Sequence, residues 1–301
     1  MKFLNIPASI RQRLLNHARS SNRPFGEILQ YYAMERFLYR LSQSPHANQF
    51  ILKGALLLKI WHSLEFRPTM DIDMLGRTSN DDSNVISMIR DIIAVDVEPD
   101  GISFVPDTIQ TERIAEDADY AGIRALFRGK LDTAKINMRL DIGFGDIVYP
   151  APEESFLPSM LDLPAPRLLC YSRESAVAEK FEAIVKFGVL NSRMKDFYDI
   201  WALARQFDFD AAKLAGAIHA TFQKRGTLLS LEIEAFKQAF VDAKQVQWTA
   251  FRKRLGYAHV PESFKDIVSV VENFLAPIIV SAHKTLRNLH DGQLQANGFD
   301  D

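Results

Sequence analysis

The sequence has a single cysteine, Cys170, among 301 residues, so no disulfide can form within the chain and a reducing compartment is expected. It has no apolar run near the roughly 18 residues that mark a membrane helix. Residues 1–7 lack the long apolar core of a signal peptide. Together these absences point to a cytoplasmic protein with no membrane partner. Neither sign of charge is in excess: 36 basic against 38 acidic side chains leave a formal charge of −2. A molecule-wide basic field for nucleic acid is thereby excluded, and any RNA contact needs a local patch. Arg252, Lys253 and Arg254 form one such cluster, equally well read as a solvated helix face. Internal repeats and low-complexity tracts are also lacking.

What is present is an ordinary globular composition, 47% hydrophobic and 25% charged, in a chain long enough for one large domain or two smaller ones. Apolar spacing predicts a helix over 6–20 and a stronger one carrying Ile28, Leu29, Tyr32, Phe37, Leu38 and Leu41. A short strand over 50–54 and a helix over 55–64 follow. A second strand spans 70–74, and a loop and helix fill 78–91. Residues 101–142 read as a meander turning at Gly101, Gly122 and Gly129, with 134–142 its clearest strand. Five prolines, Pro150, Pro152, Pro158, Pro164 and Pro166, predict an irregular connection between domains. The remainder is helical, best over 172–187 and 197–205, with a polar, frayed tail after about residue 287. The expected domains are 1–165 and 166–301.

Side chains at i and i+2 of a strand share a face. In Met70-Asp71-Ile72-Asp73-Met74 the apolar residues therefore take the core and both aspartates the other side. In the stretch from Ile136 to Ile142 the same alternation sets Asp141 opposite Ile136, Met138, Leu140 and Ile142. Two carboxylates on one strand repel unless a cation intervenes, and hard oxygen ligands of this kind suit Mg²⁺ or Mn²⁺. A third carboxylate from a neighbouring strand would complete a two-metal phosphoryl-transfer site. The plain alternative is that such a pair merely solvates the outer face of a strand. Upstream, Lys53-Gly54-Ala55 places a glycine between strand and helix, where backbone and helix N-terminus could meet a phosphate. In the helical half, Lys180 flanks the buried stripe Val177, Phe181, Ile184 and Val185. It reads either as a snorkelling surface lysine or as a cation for a triphosphate. Asp196 and Asp199, three apart, share a face away from Phe197, Ile200, Trp201 and Ala204, and could equally cap or charge the helix start.

Five segments in this order resemble the AbiEii/AbiGii toxin family of nucleotidyltransferase-like proteins of bacterial abortive-infection and toxin–antitoxin systems. They are Phe50-Ile51-Leu52-Lys53-Gly54-Ala55, Arg67-Pro68-Thr69-Met70-Asp71-Ile72-Asp73, the stretch from Arg139 to Asp146, Ala178-Glu179-Lys180, and the stretch from Arg193 to Asp199. The resemblance runs from about residue 25 to 205. It implies an α+β fold: a polymerase-β-like palm with N-terminal helices and a C-terminal helical domain. It further implies a metal-dependent, NTP-using nucleotidyltransferase toxin with an antitoxin partner, a role in phage defence, and RNA (notably tRNA ends) or protein as acceptor. Asp71, Asp73 and Asp141 would hold metal. Lys53, Gly54, Ala55, Arg67 and Lys180 would serve the nucleotide, and Asp196 would complete the catalytic set. Ala55 departs from the glycine or serine common at that place in such palms. A kinase using the same site, or an inactive palm acting as a binding module, are the rival readings.

Overall fold

The computed structural model describes residues 5–63, 67–117 and 120–296. In chain order the helices are α1 (Ile6–Ser20), α2 (Phe25–Gln43), α3 (Leu56–Ile60), α4 (Asp82–Ile93), α5 (Arg173–Phe187), α6 (Met194–Gln206), α7 (Ala211–Arg225), α8 (Gln238–Leu255) and α9 (Phe264–Ala296). The strands are β1 (Phe50–Lys53), β2 (Ile72–Gly76), β3 (Ile102–Asp117), β4 (Tyr120–Leu131), β5 (Ala134–Phe144), β6 (Glu153–Phe156) and β7 (Arg167–Cys170). The chain divides into two compact units. One comprises 1–145 with 152–171, the other 146–151 with 172–301.

The first unit is a mixed α/β body around one seven-stranded sheet of order β3-β4-β5-β2-β1-β7-β6. The meander β3–β4–β5 is antiparallel, β2 joins β5 in parallel, and β1 returns antiparallel to β2. Alternation decides which face is which. Ile136, Met138, Leu140 and Ile142 of β5 and Ile123, Ala125 and Phe127 of β4 are buried. They form the floor on which α2 lies, its Phe37 ring 5.2 Å from Phe127 and 6.0 Å from Phe104. The opposite face of β5 is left for Lys135, Asn137, Arg139 and Asp141.

Four sequence expectations are corrected here. Met70 does not join the core: it is 53% exposed, because β2 begins only at Ile72 and Met70 sits on the irregular approach to it. Gly122 and Gly129 lie inside β4 rather than at turns; packing explains them. A Cβ on Gly122 would stand 2.9 Å from Ile114 Cγ1 and 3.1 Å from the Ile142 carbonyl. The β4–β5 turn is made instead by Asp132, whose φ is +53°, a conformation aspartate tolerates better than most residues. The proline-rich stretch is not wholly irregular: β6 and β7 pair at the sheet's edge, with the prolines flanking the strands rather than interrupting them. Finally, α9 runs to Ala296, past the point where fraying was expected.

The second unit is helical. Ser172 caps α5 by accepting from the Ser175 N–H at 3.0 Å, and Gly188 (φ +47°) ends the helix. The detached piece 146–151 belongs to it through polar bonds. Tyr149 N–H donates to Ser175 Oγ at 2.8 Å, and Ser172 Oγ donates to the Tyr149 carbonyl at 3.0 Å. Arg225, at the end of α7, pairs with Asp146 at 3.0 Å, Glu182 at 2.9 Å and Glu179 at 3.4 Å. A half-buried arginine facing three carboxylates satisfies charges that would otherwise be costly to desolvate. Among the described residues no helix is long and apolar enough to cross a membrane.

Candidate functional site

Strand register assembles the site. Cross-strand partners lie side by side on one face, and here a single row crosses five strands. Glu112 of β3 faces Arg124 of β4, which faces Asp141 of β5, which faces Asp73 of β2, which faces Lys53 of β1. Asp71, one pleat along the same face, joins them. One carboxylate oxygen from each of Asp71, Asp73 and Asp141 can be chosen so that all three lie within 4.8 Å of one another. The expectation that these aspartates share a face is met in space.

Each carboxylate is held differently. Asp71 Oδ1 accepts from the Thr69 hydroxyl at 2.5 Å, and the Thr69 N–H donates to the Tyr31 hydroxyl at 3.0 Å. Gln30 of α2 donates from Nε2 to the Met70 carbonyl and to the Asn137 carbonyl, both at 3.1 Å, which pins the approach of β2 against β5. Asp73 rests on bare backbone: a Cβ placed on Gly54 would stand 2.0 Å from Asp73 Oδ2 and 2.7 Å from its Cγ. Asp141 is buried, and Arg124 grips it with a two-pronged fork, Nε to Oδ1 at 2.8 Å and Nη2 to Oδ2 at 3.0 Å. Arg139 adds Nη2 to Oδ2 at 2.7 Å. Burial alone would raise the Asp141 pKa, but the hydrogen bonds from Arg124 and Arg139 outweigh it and hold the carboxyl below its ordinary range.

The geometry fits a divalent cation at Asp71 and Asp73. Both are half-buried hard-oxygen donors, and the bare glycine beneath Asp73 makes the room that its carboxylate occupies. Gly54 also has φ +76°, which an L residue adopts at a strain of about 1–2 kcal/mol. Gly54→Ala is therefore expected to lower thermal stability by an amount of that order. It should also displace the Asp73 carboxylate and weaken Mn²⁺ binding about tenfold or more. A titration in which this variant binds Mn²⁺ like the wild type would show that the close approach has no part in holding the ion.

The other expected nucleotide-binding residues are placed as follows. Lys53 is buried, its Nζ 5.9 Å from the centre of the Tyr171 ring. Ala55 is buried at the start of α3. That helix is a correction: it spans five residues, not 55–64 (Leu64 lies outside the described residues), and Leu57 N–H and Leu58 N–H already bond to the Gly54 and Ala55 carbonyls. A single turn aligns few peptide dipoles, so what this helix start offers a phosphate is its first backbone N–H groups rather than a long macrodipole. Arg67 is half-buried, with its charge near the Tyr31 hydroxyl.

Lys180 and Asp196 meet in the second unit. Lys180 Nζ lies 2.7 Å from Asp199 Oδ2 and 3.8 Å from Asp196 Oδ1, and Arg193 Nε lies 2.6 Å from Asp196 Oδ2. Both aspartates are essentially inaccessible, at 0% and 1%, so they neither cap nor merely charge a helix start. Asp196 Oδ1 has no hydrogen-bond partner among the described residues. Lys180 is thus a held lysine rather than a free snorkelling one. Sequence reasoning missed Arg124, Thr69 and Glu112 as members of the first-unit site. It singled out Asp199 but gave it no function, though it is the nearest carboxylate to Lys180.

The sequence matches the family model described as "Nucleotidyl transferase AbiEii toxin, Type IV TA system" over residues 36–270. Among solved structures, the fold is similar to JHP933 from Helicobacter pylori, with 14% identity, a TM-score of 0.49, and coverage of 90% of this chain and 97% of that one. It is also similar to a further solved structure, described provisionally as a nucleotidyltransferase from H. pylori, with 15% identity, a TM-score of 0.43, and coverage of 87% and 96%. No curated protein matches the sequence.

Proposed function

The chain belongs to the AbiEii nucleotidyl transferase toxin family of type IV toxin–antitoxin systems, and from that premise we propose that it moves a nucleoside monophosphate from a nucleoside triphosphate to an RNA or protein acceptor, with the first unit serving as its nucleotidyltransferase palm. The observation that carries this reading is the pair Asp71 and Asp73 on one face of the sheet, with Asp73 seated on Gly54. Asp71 and Asp73 would hold Mg²⁺ or Mn²⁺. When bound, the ion neutralises charge on the phosphoryl oxygens and lowers the barrier to displacement.

The reaction is an in-line displacement. An acceptor hydroxyl oxygen forms a bond to the α-phosphorus, the bond from that phosphorus to the α–β bridging oxygen breaks, and pyrophosphate leaves with the electron pair. The hydroxyl proton passes to a base. Thr69 and Tyr31 keep Asp71 in place through the bonds already described, and Gln30 keeps its strand in register with β5. Such chemistry is mostly positioning and electrostatics, so a rigid sheet face suits it. The roles implied by the family motifs for Lys180, offsetting triphosphate charge, and Asp196, taking the acceptor proton, belong to this proposal as well. So does a cognate antitoxin as the chain's genetic partner.

The decisive experiment supplies each nucleoside triphosphate labelled at the α- or γ-phosphate, together with total RNA and cell lysate. Label from the α-position on an acceptor, with release of pyrophosphate, is the expected result. Label from the γ-position would make the protein a kinase, and no transfer of either label would leave an inactive palm.

A further inference from the structure

Asp141 is the most firmly held of the three carboxylates, and what holds it is cationic. Its Oδ1 accepts from Arg124 Nε at 2.8 Å and Arg139 Nε at 3.2 Å. Its Oδ2 accepts from Arg124 Nη2 at 3.0 Å, Arg139 Nη2 at 2.7 Å and, in a shared bond, Arg139 Nε at 3.2 Å. A carboxylate has about four lone-pair positions, and these bonds fill them. Asp141 would have to release an arginine to ligate a metal. Arg124 is further braced on its outer side by Glu112, at 3.1 Å from Nη1.

Arg139 is the looser of the two. Its side chain is 41% exposed, against 24% for Arg124, and its Nη2 reaches to 3.7 Å from Asp71 Oδ2. Its Nη1 donors engage none of the described residues. A guanidinium fixed on one edge by a buried carboxylate, open on the other edge and adjacent to a metal-ligand aspartate is suited to bind phosphate bidentately.

We propose that Asp141 is a positioning residue rather than a metal ligand: it anchors Arg139, braced by Arg124, as a binding group for the phosphoryl oxygens of the triphosphate, and leaves the metal to Asp71 and Asp73. The inference rests on reading the carboxylate row as a nucleotide site, and it reassigns one member of that row. Anchoring by Asp141 orders the guanidinium before substrate arrives, so little side-chain entropy is lost on binding.

Binding measurements on the full chain separate the two roles, with inorganic tripolyphosphate in EDTA and Mn²⁺ alone as probes. Arg139→Gln should weaken tripolyphosphate binding about tenfold, as the loss of a charged hydrogen-bonding group does, while Mn²⁺ affinity stays within about twofold. Arg139→Lys should fall between, because it keeps the charge and loses the fork. Asp141→Asn should follow Arg139→Gln in both measurements. If that variant does not fold, the two arginine variants decide. The proposal is overturned if Asp141→Asn weakens Mn²⁺ binding about tenfold while Arg139→Gln tightens it, since Asp141 is then a ligand with which Arg139 competes. It is also overturned if Arg139→Gln leaves tripolyphosphate binding unchanged. Loss confined to a single-stranded oligoribonucleotide with a 5′ hydroxyl would overturn it too, by assigning Arg139 to the acceptor's backbone. Mn²⁺ binding that survives Asp71→Asn and Asp73→Asn would sink the metal reading and leave the role of Arg139 standing.

Discussion

Asp73→Asn is expected to lower metal-dependent triphosphate turnover by a factor on the order of 10³ while thermal stability stays level or rises. The two effects follow from the same neighbours. Asp73 lies in register with Asp141 and shares its face with Asp71; Arg124 and Arg139 neutralise Asp141, so the repulsion that matters is between Asp73 and Asp71. Removing one charge relieves repulsion in the metal-free protein and withdraws a ligand from the ion. Packing is spared because the core side of β2 is Ile72 and Met74, buried at 0% and 1%, and asparagine matches aspartate in volume. Asp71→Asn should behave alike, since its amide oxygen can still accept from Thr69. Turnover of labelled triphosphate and a melting curve in EDTA test both halves. Wild-type turnover in either variant would remove the aspartates from the chemistry. A melting point lower by several degrees would mean that they stabilise the sheet rather than strain it.

How far the sequence could be read depended on how local each signal was. The alternation in β5 is uninterrupted from Ile136 to Ile142, and both its core side and its outward Asp141 were legible from it. The shared face of Asp71 and Asp73 was legible too, but not the exposure of Met70, because alternation says nothing about where a strand begins. Gly122 and Gly129 look like turn residues in one dimension. Only the neighbouring strand and Ile114 reveal that they make room inside β4. The grip of Arg124 on Asp141 escaped notice for a related reason: the two are 17 positions apart, and nothing in the chain announces the β4–β5 register; Arg139, on the same strand face as Asp141, was in view but was given no role. In the helical half, the periodicity of α5 and α6 gave the apolar stripes. That Lys180 meets Asp199, 19 residues on, depends on how two helices cross, which a stripe does not encode.

That crossing sets up the last expected result, in which neighbouring aspartates on α6 part company. Asp199→Ala removes the closest partner of Lys180, 2.7 Å away and 1% exposed. Breaking a buried pair by deleting one side typically costs about 3–5 kcal/mol. The lower end applies here, because the Lys180 side chain keeps 16% of its exposure and has Asp196 at 3.8 Å as a second partner. Asp196→Asn should be milder, about 1 kcal/mol. Its Oδ1 makes no hydrogen bond among the described residues, and Arg193, with 39% of its side chain exposed, can turn to water. If Asp196 takes the acceptor proton, however, the same conservative change should slow turnover about 10²–10⁴-fold. Expressed without an antitoxin, Asp196→Asn should therefore permit growth at an unchanged level of soluble protein. Asp199→Ala should permit growth only by losing soluble protein. Growth curves paired with soluble-protein blots and urea melts read the two effects separately. An Asp196→Asn protein as toxic as the wild type at equal soluble level would take Asp196 out of catalysis and leave it, with Asp199, as part of the scaffold around Lys180.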